Sequence, residues 1–198
     1  MDPVRAQQPN HEEALQKFVR FVDEKREPGI SGTENETAYF CPESDLKDYF
    51  SDHDRLEGLL RCVLPSTGPV PVQRNPIKTQ YTKVFAILLH INRGKFIKYF
   101  VIHNSLSDEK LPFDTRPENF PANLEDIDTR FFQDFYEHQW MFCAPTLSYE
   151  RFKDWQARTI LPIISKVPLG TGGSSETYRI ELQSTYNRLE VNRGTKNV

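Results

Sequence analysis

The sequence predicts an α+β fold that is mainly helical. Apolar residues recur at helical spacing in several segments ahead of residue 158, and short apolar segments between them fit strands. From Ile163 to Leu182 the pattern changes to an apolar strand, a glycine-rich turn and a second apolar strand. Fourteen Phe residues and an aromatic share of 12% provide material for a core in a chain of 198 residues.

Four helices are predicted in the first half of the chain. The first runs from a capping Asn10 to Pro28, with its apolar residues on one face. Residues 28–37 are predicted to form a polar loop, and Ala38–Cys41 a short edge strand. The proline-rich residues 65–76 predict a rigid extended connection. The other three helices are expected from Ser44 or Asp45 to Phe50, from Asp52 to Val63, and from Thr79 until Asn92 to Gly94 break the pattern after Ile91.

The second half adds shorter elements. We expect the core to centre on Phe85, Leu88, Leu89 and Phe100. Further helices are predicted at Lys95–Ile102, at Thr129–Trp140, and from Ser148 or Tyr149 to Ala157. Weak strands are predicted at Leu106–Phe113 and at Met141–Ala144, within residues 140–145, with a loop over 114–128. Short helices followed by two strands that pair as a small wing predict a winged-helix-like domain.

Charge is distributed unevenly along the chain. Residues 70–107 hold six cations and no acid, whereas residues 108–137 hold nine acids and three cations. Neighbouring segments of opposite sign are expected to complement each other within one fold. The aromatics of the basic segment share helical faces with Leu88 and Ile97, so we expect them in the core and not as stacking platforms for bases. With a net charge of −3, the sequence favours a protein partner over nucleic acid.

The remaining reactive side chains form no recognisable site. Histidines are scattered without metal-ligand spacing. His90 and His103 flank the basic helices and could meet in space, although nothing in the sequence requires it. The three cysteines are expected to be buried thiols: Cys41, Cys62 and Cys143. The polar start of the chain does not fit a signal peptide, and no apolar run reaches the length of a membrane span. We therefore expect an intracellular protein, cytoplasmic or nuclear, with no membrane span and no metal site.

The glycine-rich turn carries the clearest motif. Glycines let backbone amides approach phosphate oxygens closely. The turn resembles the opening loop of a protein kinase domain, Gly-x-Gly-x-x-Gly-x-Val: the first two glycines fall at Gly170 and Gly172, the third at Ser175, and the valine that packs on adenine at Thr177. The resemblance implies these ATP-binding positions: Leu169, Gly170, Thr171, Gly172, Gly173, Ser174, Ser175 and Thr177.

The surroundings of the turn extend this resemblance. With the ILPI segment and the aromatic helical region ahead of it, the chain from about Tyr39 resembles the region that precedes and enters the kinase domain in a group of filamentous-fungal kinase-like proteins. The pattern of residues predicts an N-terminal helix and loop (1–37), and the resemblance implies a helical pre-kinase domain (38–160) followed by an incomplete kinase N-lobe hairpin with a tail (161–198).

A kinase also needs a lysine on its third strand, a catalytic Asp and a magnesium-binding Asp, all in segments beyond the hairpin. Neither Lys166 nor Lys196 lies in the required context. We therefore expect no catalytic residue in this chain, a vestigial ATP-binding hairpin, and ATP with magnesium only in a complete kinase domain. The expected function is a non-catalytic regulatory or protein-interaction domain. The alternatives are a fragment of a Ser/Thr-type protein kinase and a winged-helix nucleic-acid binder, and the oligomeric state stays open.

Overall fold

The protein is mainly helical and belongs to the α+β class, as predicted. The computed structural model describes residues 11–32, 36–64, 72–103, 106–121, 130–148, 155–172 and 175–189. The chain divides into two compact units, each assembled from two stretches of chain. The helical unit comprises Met1–Arg26 and Cys41–Cys143, and the strand unit comprises Glu27–Phe40 and Ala144–Val198.

Seven α-helices lie in the described part of the helical unit, and six of them confirm helices predicted there, although the helix predicted from Thr79 begins at Thr82. The seven helices are α1 (His11–Lys25), α2 (Glu43–Ser51), α3 (His53–Val63), α4 (Arg74–Gln80), α5 (Thr82–His90), α6 (Ile97–Ile102) and α7 (Phe131–His138). Short 3-10 turns occur at Gly94–Phe96, Asp108–Lys110 and Gln139–Phe142. The predicted cap Asn10 lies outside the described residues.

Local chemistry explains where these helices begin and end. The Asp52 carboxylate accepts hydrogen bonds from the amides of Asp54 (3.0 Å) and Arg55 (3.1 Å), which fixes the start of α3 as predicted. After α5 the backbone of Asn92 adopts the left-handed conformation, with φ of 55°. The next amide, that of Arg93, then donates to the Leu88 carbonyl at 2.7 Å and closes the helix. The predicted helix break at Asn92 is therefore confirmed.

The core of the helical unit is filled by α5 and by aromatic rings. The four side chains predicted at its centre, Phe85, Leu88, Leu89 and Phe100, are all buried. Phe100 stacks on Phe135 with ring centroids 5.8 Å apart. In the basic segment the aromatics are core residues as predicted, except that Tyr99 is half-buried. The aromatic rings packed around α6 and α7 are Phe96, Phe100, Phe113, Phe120, Phe131 and Phe135.

The two strands predicted for the wing are wrong. Residues 106–113 contain a 3-10 turn. The Gln139 side chain bonds the backbone of Phe113: the Phe113 amide donates to Gln139 Oε1 at 2.7 Å, and the Phe113 carbonyl accepts from Gln139 Nε2 at 2.9 Å. A buried glutamine thus replaces the partner strand. Met141–Ala144 is wrong as a strand because the chain after α7 tightens into the 3-10 turn Gln139–Phe142.

Two further predictions are corrected or fall outside the description. The extended connection predicted over 65–76 is wrong at its end, because α4 begins at Arg74 and holds Pro76 in its first turn, where a missing amide costs no helical hydrogen bond. Residues 65–71 of that connection lie outside the described residues. So does most of the helix predicted from Ser148 or Tyr149, whereas Ala157 itself lies in a turn.

The strand unit holds two antiparallel sheets. Its strands are β1 (Glu27–Ser31), β2 (Thr37–Phe40), β3 (Ile160–Leu161), β4 (Ile163–Gly172) and β5 (Ser175–Leu182). One sheet has the order β2-β1-β3, so β2 is an edge strand as predicted, and the other consists of β4 and β5. The predicted loop over residues 28–37 is wrong at its start, because β1 is the central strand. Gly29 allows the backbone of β3 to lie close to the backbone of β1. A Cβ at this position would lie 2.6 Å from the Leu161 oxygen and would prevent this approach.

We expect opposite effects from alanine at two glycines of the helical unit. A Cβ on Gly94 would collide with the side chain of Val63 and lie 3.1 Å from Leu89 Cδ2, so Gly94→Ala should destabilise the protein by about 1–3 kcal/mol. Gly58, inside α3, has no atom within 4 Å of such a Cβ, so Gly58→Ala should stabilise by about 0.5–1 kcal/mol. Urea unfolding of both variants measures the change in the free energy of unfolding. Equal changes of the same sign in the two variants would contradict this prediction.

Candidate functional site

The glycine-rich segment folds as the predicted antiparallel hairpin, and we call this pair of strands, β4 with β5, the ribbon. Its register pairs Ile163 with Leu182, Val167 with Arg179 and Gly172 with Ser175. The register shifts between Ile163 and Ser165, and again between Pro168 and Gly170. Apolar and β-branched residues on both sides of a run of glycines and serines explain this local structure, because such residues favour strands and glycine favours the turn between them.

The predicted nucleotide-binding positions are distributed over both strands of the ribbon. Gly170 lies directly opposite Thr177, and Thr171 lies opposite Glu176. A Cβ placed on Gly170 would meet no atom within 4 Å, so the backbone there is open to a close approach by another molecule. Leu169 lies at the second register shift with 63% of its side chain exposed. Gly173 and Ser174 lie outside the described residues, as do the side-chain surroundings of Thr171 and Ser175.

Polar contacts on the ribbon link neighbouring side chains. The Lys166 ammonium lies 4.0 Å from the centre of the Tyr178 ring, which is a cation–π distance. The Tyr178 hydroxyl donates a hydrogen bond to the Glu176 carboxylate. That bond, which favours the protonated phenol, raises the pKa of Tyr178 above its usual value. These contacts cover part of one face of the ribbon.

The ribbon also exposes an unusual amount of apolar surface. The described residues expose six large apolar side chains, of which four lie on the ribbon: Ile164, Val167, Leu169 and Ile180. The side chains of Pro168 and Arg179 are exposed as well. Val167 lies opposite Arg179 and Ile180 lies opposite Lys166, so Val167 and Ile180 lie on opposite faces of the ribbon. Several exposed apolar side chains on one element mark contact with another molecule more often than a single one does.

The base of the ribbon is anchored in the strand unit. Ile163 is buried, and the Gln183 amide donates to the Pro162 carbonyl at 3.0 Å. Farther along, the Tyr186 ring packs edge-on against Phe40 with centroids 5.3 Å apart. The ribbon is therefore held at its base, while its strands are exposed to contact by another molecule.

A partly buried polar cluster that sequence patterns did not predict lies at the start of α5 in the helical unit. The Asp108 carboxylate accepts hydrogen bonds from the amides of Lys83 (3.0 Å) and Val84 (2.9 Å), and so caps α5 from a distant segment. The Lys83 ammonium lies 2.6 Å from the Glu43 carboxylate. Asp108 belongs to the acidic segment and Lys83 to the basic one, but it is the Lys83 backbone amide that bonds to Asp108, whereas the Lys83 ammonium pairs with Glu43 outside the acidic segment. The complementarity of the two segments stays a prediction.

Burial controls the protonation of this cluster. It raises the pKa of Asp108 to about 6, outweighing the two amide hydrogen bonds. Burial also raises the pKa of the Cys143 thiol to about 12, so this thiol is inert, as expected of a structural cysteine. Burial alone would lower the pKa of Lys83, but the hydrogen bond to Glu43 and the negative charges of Glu43 and Asp108 together outweigh burial and raise that pKa. The cluster therefore closes the helix start and offers no reactive nucleophile.

The remaining titratable residues are placed differently from some expectations. His90 packs against His138, with ring centroids 5.3 Å apart, and not against His103, which packs on Tyr99. Burial, followed by the neighbouring His138, lowers the pKa of His90. Cys62 is only half-buried, in contrast to the predicted burial. No group of three metal-ligating side chains occurs among the described residues.

A cleft of about 570 Å³ beside α3 and α4 concentrates basic side chains. Glu57 offsets one of its three positive charges, and its carboxylate lies 2.8 Å from Arg61 and 2.6 Å from Arg74. The Lys78 ammonium donates to the Ser51 carbonyl at 2.8 Å. These contacts join α2, α3 and α4.

The described residues form an α+β protein in which the ribbon is exposed. Comparison with known protein families, curated proteins and solved structures finds no match to this chain. In the part of the chain that is described, no helix combines the length and apolar character needed to cross a membrane.

Proposed function

We propose that this chain is a non-catalytic regulatory or protein-interaction region of a kinase-like protein, and that the ribbon is the element it presents to its partner. The observation that carries the proposal is the concentration of exposed apolar side chains on the ribbon, where Leu169 and Ile180 are 63% and 42% exposed. A protein partner gains free energy by covering such side chains. The polar clusters of the helical unit support this assignment, because their charged groups are engaged in structural contacts.

The link to kinase-like proteins rests on the resemblance of the glycine turn. An antiparallel ribbon with Gly170 opposite Thr177 is consistent with a loop in which the glycine and the adenine-contacting position lie side by side. A fragment of a Ser/Thr-type kinase therefore remains the second candidate. The winged-helix nucleic-acid binder loses its support, because neither predicted wing strand exists and the basic segment's aromatics lie mainly in the core.

Site-specific photo-crosslinking in cells tests the interaction role. A photoreactive amino acid at Leu169 should capture a discrete partner protein, because this side chain is exposed on the ribbon. The matched control is the same amino acid at Ile102, which is 75% exposed on α6 of the helical unit. Equal capture from both positions, or no discrete product from Leu169, would contradict the proposal.

The two kinase-related candidates differ in nucleotide binding. We expect the purified chain to show no measurable affinity for magnesium-ATP in calorimetric titration, because a two-stranded ribbon offers only backbone amides to a highly charged ligand. A micromolar dissociation constant that is lost when Gly170 and Gly172 are replaced by valine would favour the kinase fragment instead. Gly58→Ala, far from the glycine turn in sequence and free of clashes, is the control for unspecific effects of substitution.

A further inference from the structure

We propose that the outer edge of β5 pairs with β5 of a second copy of this chain, in an antiparallel register that places Ile180 opposite Ile180. The product is a continuous four-stranded sheet made of two ribbons. This inference rests on the proposed interaction role of the ribbon and assigns one partner to its β5 edge.

The edge of β5 is suited to strand addition. Among the described residues β5 bonds only to β4, so one side of β5 offers unpaired backbone donors and acceptors. The strand reads SETYRIEL, without proline or an internal glycine, and the side chains of residues 176, 177 and 179–181 are exposed. The edge of β4 is less suited, because Pro168 lacks an amide and the strand has two register shifts.

Symmetry restricts how two copies of β5 can pair. Two antiparallel copies in one sheet are related by a two-fold axis perpendicular to the sheet, and rotation about this axis keeps every side chain on its own face. Side chains alternate between faces along a strand, so directly opposed residues must come from the same alternating set. Each allowed register is therefore centred on one residue that lies opposite itself.

Charge and apolarity select one of these registers. A register centred on Arg179 opposes two arginines, and one centred on Glu181 opposes two glutamates. A register centred on Thr177 places Glu176 opposite Tyr178, and a register centred on Tyr178 places Glu176 opposite Ile180. Centring on Ile180 opposes Arg179 with Glu181 twice on one face, and Tyr178 with Leu182 twice on the other. This register alone matches opposite charges and apolar side chains together.

The charges involved are unused within the ribbon. Arg179 lies opposite Val167, and Glu181 lies opposite Ser165, so neither faces an opposite charge across β4 and β5. Exchanging the two charges therefore leaves the pairing of β5 with β4 unchanged. A second copy would supply the missing partner to both side chains and cover Ile180, and the added strands relieve the marginal stability of an isolated two-stranded ribbon.

A charge-swap cycle on the purified full chain tests the register. Sedimentation equilibrium should show a dimer, and Arg179→Glu or Glu181→Arg alone should weaken dimerisation about tenfold or more, since each creates two like-charge pairs in place of two attractive ones. The double variant R179E/E181R should restore dimerisation. A chain that stays monomeric, a dimer insensitive to the single changes, or a double variant that is not rescued would each overturn the proposal.

Cross-linking tests the position of the axis separately. Ile180→Cys should join two copies through a disulfide under mild oxidation, because opposed residues lie about 5 Å apart at Cβ. Thr177→Cys is the control: this register opposes Thr177 with Gln183 and separates the two introduced thiols by about 20 Å. The unaltered chain controls for its own cysteines. A monomeric purified chain that is nevertheless captured by another protein through Leu169 would overturn the pairing and leave the interaction role standing.

Discussion

Replacing Leu88 by alanine is expected to lower the free energy of unfolding by about 2–5 kcal/mol. Leu88 is fully buried in α5, the helix at the centre of the helical unit's core. Truncation removes apolar contacts and leaves a cavity, because the surrounding rings of Phe85 and its neighbours are held by packing on several helices. Denaturant unfolding followed by circular dichroism measures the loss.

Ile102→Ala is the matched control for this prediction. It removes a similar volume from the last position of α6, where the side chain is 75% exposed, so it should change the free energy of unfolding by less than about 0.5 kcal/mol. A Leu88→Ala loss as small as that of the control would show that α5 does not carry the core of the helical unit.

The second large effect is a pH dependence that originates at Asp108. Its pKa is raised in the folded protein from the usual 3.8 to about 6, mainly by burial. Between these two values the folded state binds a proton that the unfolded state does not, so stability must fall as pH rises. The stabilisation that the protonated Asp108 gives to the folded state is fully present below about pH 4 and is lost as the pH rises through about 6. A pKa shift of this size corresponds to about 3 kcal/mol in the free energy of unfolding.

Asp108→Asn should remove this dependence, because an asparagine side chain cannot ionise and keeps one of the two oxygens that accept from the α5 amides. Unfolding free energies measured from pH 4 to pH 7 should therefore fall by about 3 kcal/mol more in the original chain than in the variant. Asp48→Asn, an exposed position on α2, serves as the control and should run parallel to the original chain. Parallel profiles for all three proteins would refute the assigned role of Asp108.

Local sequence signals were sufficient for the ribbon and for every helix of the described residues except α4. The Asp52 cap, the break at Asn92 and the apolar stripe of α5 depend on residues within a few positions of each other. The same is true of the ribbon, where strand-forming residues surround a glycine turn. Such features are encoded within one turn of helix or one hairpin, so a single sequence predicts them.

Long-range contacts account for what the sequence did not predict. Gln139 bonds both backbone groups of Phe113 and so replaces the strand partner that the pattern suggested. Asp108 caps α5 across a separation of 24 and 25 residues. Gly29 signals a turn locally, yet in the sheet it serves the approach of β3. In each case the deciding partner is remote in sequence, and no local pattern identifies it.

The pairing of β1 with β3 sets an order of events during synthesis of the chain. Ile30 emerges from the ribosome early, whereas its partner Leu161 follows only after the whole helical unit has been made. The helical unit can therefore condense first, while β1 and β2 wait as a two-stranded hairpin with an open edge. Closing such a long loop is slow compared with helix formation, so the strand unit should complete its fold last and should be the part of the nascent chain that most needs protection from premature pairing.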